Sequence, residues 1–310
     1  MPENTFFPPE GLRPPVFSSL ADLKDAAETG AILEAVAQRC DAQHTLHFSI
    51  GGIAGRMPRS EAVAPWISGA NRDISVLSRV GKQTCFTVLS VQPNAKGAPV
   101  ALLSRRAAQE QAMNHFLEHA VPGTVLPCRV IRLESFGAFL DIGCGVIAML
   151  PIEHISVSRI SHPADRFQEG QKILAVVHSV DREHRRITMT HRELLGTWME
   201  NASRFHIGET VCGIVRSVLD YGTFIELTPN LSGLADNKPN LSPGDNVSVF
   251  IKNIRPESMK VKLQIIEKLP SSAPAPLRYQ ITDGRLEHWI YSPPNCEKRS
   301  IETIFTALSP

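Results

Sequence analysis

Two phenylalanines three positions apart, Phe136 and Phe139, flank a glycine in ESFGAFLDIG (residues 134–143), and a carboxylate follows two residues after the second ring. The same shape returns in LDYGTFIEL (residues 219–227), where Tyr221 and Phe224 stand 85 positions after the two phenylalanines. Paired rings on a surface can stack flat heterocycles. Each base stacked on an aromatic contributes about 1–3 kcal/mol, with little regard to sequence. A cation recurs nearby. In RRITMT, Ile187 and Met189 take the inward parity and leave Arg186, Thr188 and Thr190 outward; in KVKLQ, Val261 and Leu263 are inward and Lys260 and Lys262 outward. Rings beside a cation suit single-stranded nucleic acid, and RNA is met mainly through unstacked bases. Core packing is the competing reading, since strand aromatics are usually buried. The recurrence of the pair, with a tyrosine hydroxyl that would be awkward in a dry core, favours a surface platform. Strict alternation would send Phe136 and Phe139 to opposite faces, so Gly137 is expected to form a turn or bulge that resets the parity.

Other chemistry finds less support. The six cysteines lack CxxC spacing and read as reduced, mostly buried thiols. The eleven histidines lack HxxxH or HExxH spacing and read as solvent-exposed. DREHRR supplies charge without the second carboxylate cluster that a metal-dependent nuclease needs. No catalytic residue, metal or cofactor is expected. Formal charge is +1, from 32 Lys+Arg against 31 Asp+Glu, unlike the basic footprint of a general duplex-DNA binder. Any nucleic-acid binding must therefore share its work with stacking.

The elements that carry these residues are repeated. Aligning Gly123 with Gly208 and Gly170 with Gly244 needs no gap within either block, but the offset falls from 85 to 74 residues. The surplus lies in the middle connection, HISVSRISHPADRF. Each copy reads as about five short strands, which fits an OB-fold; an SH3-like barrel fits the strand count nearly as well. A weaker third copy lies upstream, with His44 and His47 opposite Phe136 and Phe139. At 310 residues and 43% hydrophobic content, several domains are expected.

The expected fold is mainly β: three tandem five-stranded OB-fold barrels, the first degenerate, joined by α-helical spacers and followed by a C-terminal β-hairpin. The boundaries are an N-terminal extension (1–29, extended and partly mobile, with a short helix in SSLADLKDAAETG), a degenerate repeat (30–103), a helical spacer (104–120), a repeat (121–189), a second spacer (190–206), a third repeat (207–268) and a Pro-rich link with the hairpin (269–310). Ala108, Ala112 and Phe116 share one helical face in the first spacer. In the second, Leu194, Trp198, Ala202 and Phe205 do so behind a Thr190–Glu193 capping box, with Trp198 read as core. Asp283-Gly284 marks the hairpin turn, with Tyr279, Trp289 and Tyr291 supplying apolar area. There is no apolar run long enough to span a membrane and no secretory leader, so a cytoplasmic protein is expected.

The run GTVLPCRVIRLESFGAFLDIGCGVIAMLPI, continued by FQEGQKILAVVHSVDREHRRITMTHREL, resembles the RNA-binding OB-fold repeat named for ribosomal protein S-one. The match spans residues 123–194 and extends to 208–267 and, faintly, 30–106. The order of repeats is similar to that of the short homologues of Gram-positive bacteria. The resemblance implies an RNA face made of Phe136, Phe139, Asp181 and Arg186. Pro151 holds the family's histidine place, with His154 as neighbour. In the later copy Tyr221, Phe224 and Lys260 match that face, with Asp236 at the histidine place and Arg255 at the aspartate place; Lys262, outward by alternation, is counted with them. It further implies single-stranded RNA, chiefly mRNA, and the small ribosomal subunit as partners in a ribonucleoprotein role in translation. An RNA-turnover or transcription-associated factor and a ribosome- or protein-docking scaffold remain the alternatives.

Overall fold

The computed structural model describes residues 7–12, 19–67, 69–270, 276–297 and 300–306. The mobility expected for the N-terminal extension concerns, in part, residues outside those described. Two compact units are present: Met1–Ala120 with Pro127–Arg129 and Asp141–Ala148, and Val121–Leu126 with Val130–Leu140 and Met149–Pro310.

In the first unit, helix α1 (Leu20–Thr29) begins at a capping box in which Ser19 and Asp22 satisfy each other's backbone donors, and ends on Gly30 in the left-handed region. Strands β1 (Ile32–Val36), β2 (Arg39–Cys40), β3 (Leu46–Ile50) and β4 (Ile53–Met57) follow, then short helices α2 (Arg59–Ala62) and α3 (Ile74–Leu77), strands β5 (Gln83–Pro93) and β6 (Pro99–Ser104), and helix α4 (Arg105–His119). The sheet is six-stranded, in the order β1-β5-β6-β4-β3-β2. It is not the five-stranded closed barrel expected from the sequence. What would be one first strand breaks between Val36 and Arg39, so one half pairs with β5 and the other with β3. Leu46, Phe48, Phe86, Leu103 and Met57 fill its core.

Residues 7–12 are tied into this unit by charge. Glu10 accepts from Arg105 Nε (2.7 Å) and Nη2 (2.8 Å) and from Arg79 Nη1 (2.6 Å). Burial pushes the Glu10 carboxyl up, but the Arg105 charge and hydrogen bonds, with Arg79, bring it down to about 2. Arg105 opens α4, where a cation opposes the helix dipole, so Glu10 also offsets that cost. Asp141 accepts backbone N–H groups from Glu10 (2.9 Å), Gly143 (2.9 Å) and Gly145 (3.0 Å). Ala108, Ala112 and Phe116 are buried together on α4, as their spacing requires.

Strands β7 (Val125–Glu134), β8 (Gly137–Gly143), β9 (Val146–Pro151), β10 (Lys172–Asp181) and β11 (Arg186–Thr190) close a barrel in the order β10-β11-β9-β8-β7. Beyond the short helix α5 (Trp198–Ala202), strands β12 (Thr210–Leu219), β13 (Gly222–Thr228), β14 (Leu231–Ala235), β15 (Asn246–Arg255) and β16 (Lys260–Lys268) close a second one, β12-β13-β14-β16-β15. In each barrel the third and fifth strands run parallel. That five-stranded order is the OB-fold, which settles the choice left open by strand count.

Several local expectations are corrected. The second spacer opens not at Thr190 but with a 3₁₀ turn, Arg192–Leu195, and its capping box is Thr197–Glu200. Thr190 is buried rather than outward, its hydroxyl donating to the buried Glu193 carboxylate (2.6 Å). Trp198 is core. The Asp283-Gly284 turn does not join paired strands. Gly284 O accepts from Val125 N (3.0 Å) and Leu286 N donates to Gly123 O (2.9 Å), so this stretch adds to the start of β7. The hairpin is instead β17 (His288–Ile290) with β18 (Glu302–Ile304). Trp289 and Tyr291 are buried on the core of the last barrel. Cys85, Cys128 and Cys144 are buried, Cys40 and Cys296 partly so, and Cys212 is exposed; all six are thiols, none joined in a disulfide. No helix among the described residues is long and apolar enough to cross a membrane.

Not all histidines are exposed. His191 is fully buried, with Nδ1 donating to Ile155 O (2.8 Å) and Nε2 3.3 Å from the Tyr279 hydroxyl. Burial brings its pKa down to about 4. The unfolded chain takes up this proton near 6.5 while the folded chain stays neutral, so the stability His191 contributes is complete above 6.5 and is lost as pH falls through 4. A loss of about 3 kcal/mol across that window is expected. Denaturant titrations of wild type and His191→Gln between pH 7 and 4 should show a smaller decline in the variant.

Within the second unit, the two barrels are joined by buried charge. Arg166 lies in the longer middle connection and donates from Nη1 to Glu226 Oε1 (2.7 Å) and from Nη2 to Glu226 Oε2 (2.9 Å). Arg216 on β12 donates from Nε to Glu226 Oε2 (2.8 Å) and approaches Asp165 (3.7 Å). Arg166 is 6% exposed and Glu226 4%, so neither charge is relieved by water. Removing one partner of such a pair costs about 3–5 kcal/mol. Glu226→Ala strands the Arg166 guanidinium and leaves Arg216 only the longer Asp165 contact, so it should shift the denaturation midpoint of this unit further than Arg166→Ala, after which Glu226 keeps Arg216.

Candidate nucleic-acid interface

The aromatic pairs occupy one geometry in both barrels. Ser135 and Phe136 form the two-residue turn between β7 and β8, just as Asp220 and Tyr221 link the paired residues Leu219 and Gly222. The first ring of each pair therefore lies outside the strand, where alternation does not apply. This replaces the parity reset expected of Gly137. The glycine has a different duty: a Cβ there would lie 2.4 Å from Leu150 O, and one at Gly222 would lie 2.7 Å from Ala235 O. Only glycine lets the neighbouring strand approach so closely. Phe136 and Phe139 meet edge to face with centroids 6.0 Å apart at 88°, and Tyr221 and Phe224 at 6.1 Å and 89°. Phe136 is 54% exposed and Tyr221 70%, each leaning on a half-buried partner that holds its orientation.

Cross-strand register sets the cations beside the rings. Phe224 faces Leu234, and Leu234 faces Lys262 across the parallel pair. With strands about 4.8 Å apart, Lys262 stands about 10 Å from Phe224 along this row. Lys260 precedes it on the same exposed face. In the middle barrel Met149 faces Thr188, leaving the cation to Arg186 two positions earlier. Among the described residues, the side chains of Arg186, Lys260 and Lys262 make no hydrogen bond or ion pair.

Other residues singled out in the sequence stand elsewhere. Asp181 faces Arg186 in the ladder, but its carboxylate is held by His184, through Nδ1 (2.9 Å) and the backbone N–H (2.9 Å). The His184 backbone hydrogen bond leads in holding the Asp181 carboxyl below the usual carboxylate range. His154 ends a 3₁₀ turn after β9, and its ring packs on His178 at 4.6 Å. Burial first, then His178, lowers its pKa, so the imidazole is neutral at pH 7. Asp236 and Arg255 are both exposed, and Arg255 pairs with Lys260 in the ladder. In the first unit His47 is bound by Asp41 (2.8 Å) and His44 adopts φ 57° in a turn, so neither reproduces a ring pair.

A cavity of about 490 Å³ opens beside Tyr221 and Phe224, with Arg159 and Ser158 of the middle connection in its wall. These two residues, and His178, were not singled out from the sequence. The signal available for Arg159 was its place in the segment by which the repeats differ in length.

Two OB barrels bearing matched exposed ring pairs are an arrangement suited to single-stranded nucleic acid. Comparison with known proteins agrees: residues 121–192 match the S1 RNA binding domain. Over longer stretches the chain is similar to proteins named small ribosomal subunit protein bS1. The Leuconostoc lactis protein is 29% identical over 244 residues, covering 73% of this chain and 54% of the relative. The Staphylococcus aureus (strain COL) protein is 30% identical over 186 residues, covering 55% and 47%. The chain thus spans about half the length of the relatives it matches. A multidomain protein with nucleic acid binding domains from Streptococcus pneumoniae aligns over 76% of this chain and 73% of its own, at 11% identity and TM-score 0.25.

Proposed function

We propose that this chain is a cytoplasmic, non-catalytic protein of the ribosomal S1 type that binds single-stranded RNA, and that it holds mRNA at the small ribosomal subunit. The observation that carries this reading is the duplicated ring pair, exposed and edge to face, next to cations with no internal partner. Bases stack on Phe136 and Phe139 in the middle repeat and on Tyr221 and Phe224 in the last, while Arg186, Lys260 and Lys262 meet phosphates. His154 and Asp181 belong to the edge of the middle surface, Asp181 chiefly by shaping the turn that presents Arg186. The repeats at 121–189 and 207–268 bind RNA, and the one at 30–103, without a ring pair, has another role. The carboxylates two residues past each ring pair are already engaged within the protein: Asp141 by three backbone amides, and Glu226 by two guanidinium groups.

Fluorescence titration with a labelled single-stranded RNA tests the platform. Two stacking contacts at about 1–3 kcal/mol each make a loss of at least about tenfold the expected result for the Phe136→Ala/Phe139→Ala variant. Unchanged affinity in a folded variant would overturn it. Sedimentation of the full chain with purified small subunits should show co-migration; failure to co-migrate would remove the ribosomal part of the reading while leaving RNA binding intact.

A further inference from the structure

β13 carries Phe224 and Glu226 two residues apart, hence on the same outer face of the last barrel. Phe224 faces Leu234, and Glu226 faces Ser232. These two rows, about 7 Å apart along the strand, have opposite fates. The Glu226–Ser232 row is covered by the middle repeat: Arg166 forks onto Glu226, and the Ser232 hydroxyl donates to Ser158 Oγ (2.8 Å). Val157 N donates to Asn230 Oδ1 (2.9 Å) and Ser158 N to Pro229 O (3.1 Å), fixing the backbone of the covering segment. The Phe224–Leu234–Lys262 row is left open. The 490 Å³ cavity lies at the border, and Arg159, the residue after the Ser158 anchor, lines it. Arg166 and Arg216 are neutralised by Glu226 and Asp165, whereas Arg159 is exposed and makes no hydrogen bond or ion pair among the described residues.

We propose that the RNA site of the last barrel is composite: a nucleotide whose base stacks on Tyr221 and Phe224 has its phosphate bound by Arg159 of the middle repeat. The proposal rests on the RNA-binding reading above and adds a residue that lies outside the strands of either barrel. The cavity falls within the range of about 300–1,000 Å³ that holds small-molecule ligands, so a nucleotide unit fits it. Within a neutral chain, a cation held by backbone anchors yet lacking a carboxylate partner is suited to an anion supplied by a ligand.

Affinity of the full chain for a short labelled oligouridylate, measured at several salt concentrations, tests this. Arg159→Ala should weaken binding on the order of tenfold, the size of one charge-assisted contact. It should also reduce the salt slope by about 0.7, the value for one phosphate on a single strand. Arg159→Lys should keep the slope. The loss should recur in full in the Phe136→Ala/Phe139→Ala background and vanish in the Tyr221→Ala/Phe224→Ala background, because one site is lost only once. Full additivity with Tyr221→Ala/Phe224→Ala, an unchanged salt slope, or no loss from Arg159→Ala where Tyr221→Ala/Phe224→Ala weakens binding would each overturn the proposal. If neither aromatic pair matters, the RNA-binding reading itself fails, a result distinct from these, and the composite site falls with it. Thermal unfolding of Arg159→Ala at the wild-type temperature ties the binding loss to the charge.

Discussion

The second unit depends on one buried carboxylate. Glu226 receives the full fork of Arg166 and a second guanidinium from Arg216, in a place that water does not reach. Burial alone would push its pKa up; the hydrogen bonds and charge of the two arginines hold it below the usual range, so it stays ionised at neutral pH. A buried charge of this kind contributes little net stability but penalises every arrangement that separates the partners. It therefore fixes where the middle connection lies on the last barrel. Asn230 completes the joint: its side chain accepts from Val157 N (2.9 Å) and donates to Arg192 O (2.8 Å) and Gly196 O (2.8 Å), while its carbonyl accepts from the Tyr291 hydroxyl (2.6 Å). Connection, spacer and C-terminal segment all end on one asparagine.

The same position does comparable work in the middle barrel. Asp141 follows Phe139 by two residues, as Glu226 follows Phe224, and it too is buried and occupied, here by the backbone amide of Glu10 and two glycine amides. Burial, reinforced by the Glu10 charge, pushes its pKa up to about 7. Both barrels thus divide one outer face between a ring that stays open and a carboxylate that is covered by an upstream segment. A carboxylate on the open row would repel phosphate. Covering it removes that repulsion and anchors the covering segment in one step.

Much of this was legible in the sequence, for reasons that can be stated residue by residue. Strand alternation in RRITMT and KVKLQ gave the inward and outward residues because a barrel wall imposes period two, and only Thr190, at the strand end against Glu193, escaped it. The ring pairs were found by their offset. Their shared face does not come from a parity reset at Gly137: a two-residue turn moves the first ring out of the strand, and turn length is not written in ring spacing. Asp283-Gly284 misled for a similar reason: its local signal is a hairpin, but residues 123–125 compete successfully for the same backbone donors. Nor could local pattern show that Val36 and Arg39 part company, since each half of that strand chooses a partner distant in sequence. The extra length of HISVSRISHPADRF was visible, but its role was not, because Arg166 and Glu226 are 60 residues apart.

The charge balance takes on a different meaning once partners are known. A formal charge of +1 argued against polyanion binding by bulk electrostatics. Yet the acidic residues are not spread evenly against the basic ones: Glu10 neutralises Arg79 and Arg105, Glu226 neutralises Arg166 and Arg216, and Asp181 is turned onto His184. These pairings consume carboxylates and leave Arg159, Arg186, Lys260 and Lys262 without internal partners among the described residues. Screening over roughly 8 Å at physiological salt makes distant acids irrelevant to a phosphate held at such a cation. Cations without an internal partner therefore stand near the ring pairs although the molecule is nearly neutral, and stacking, which salt does not screen, carries the remainder.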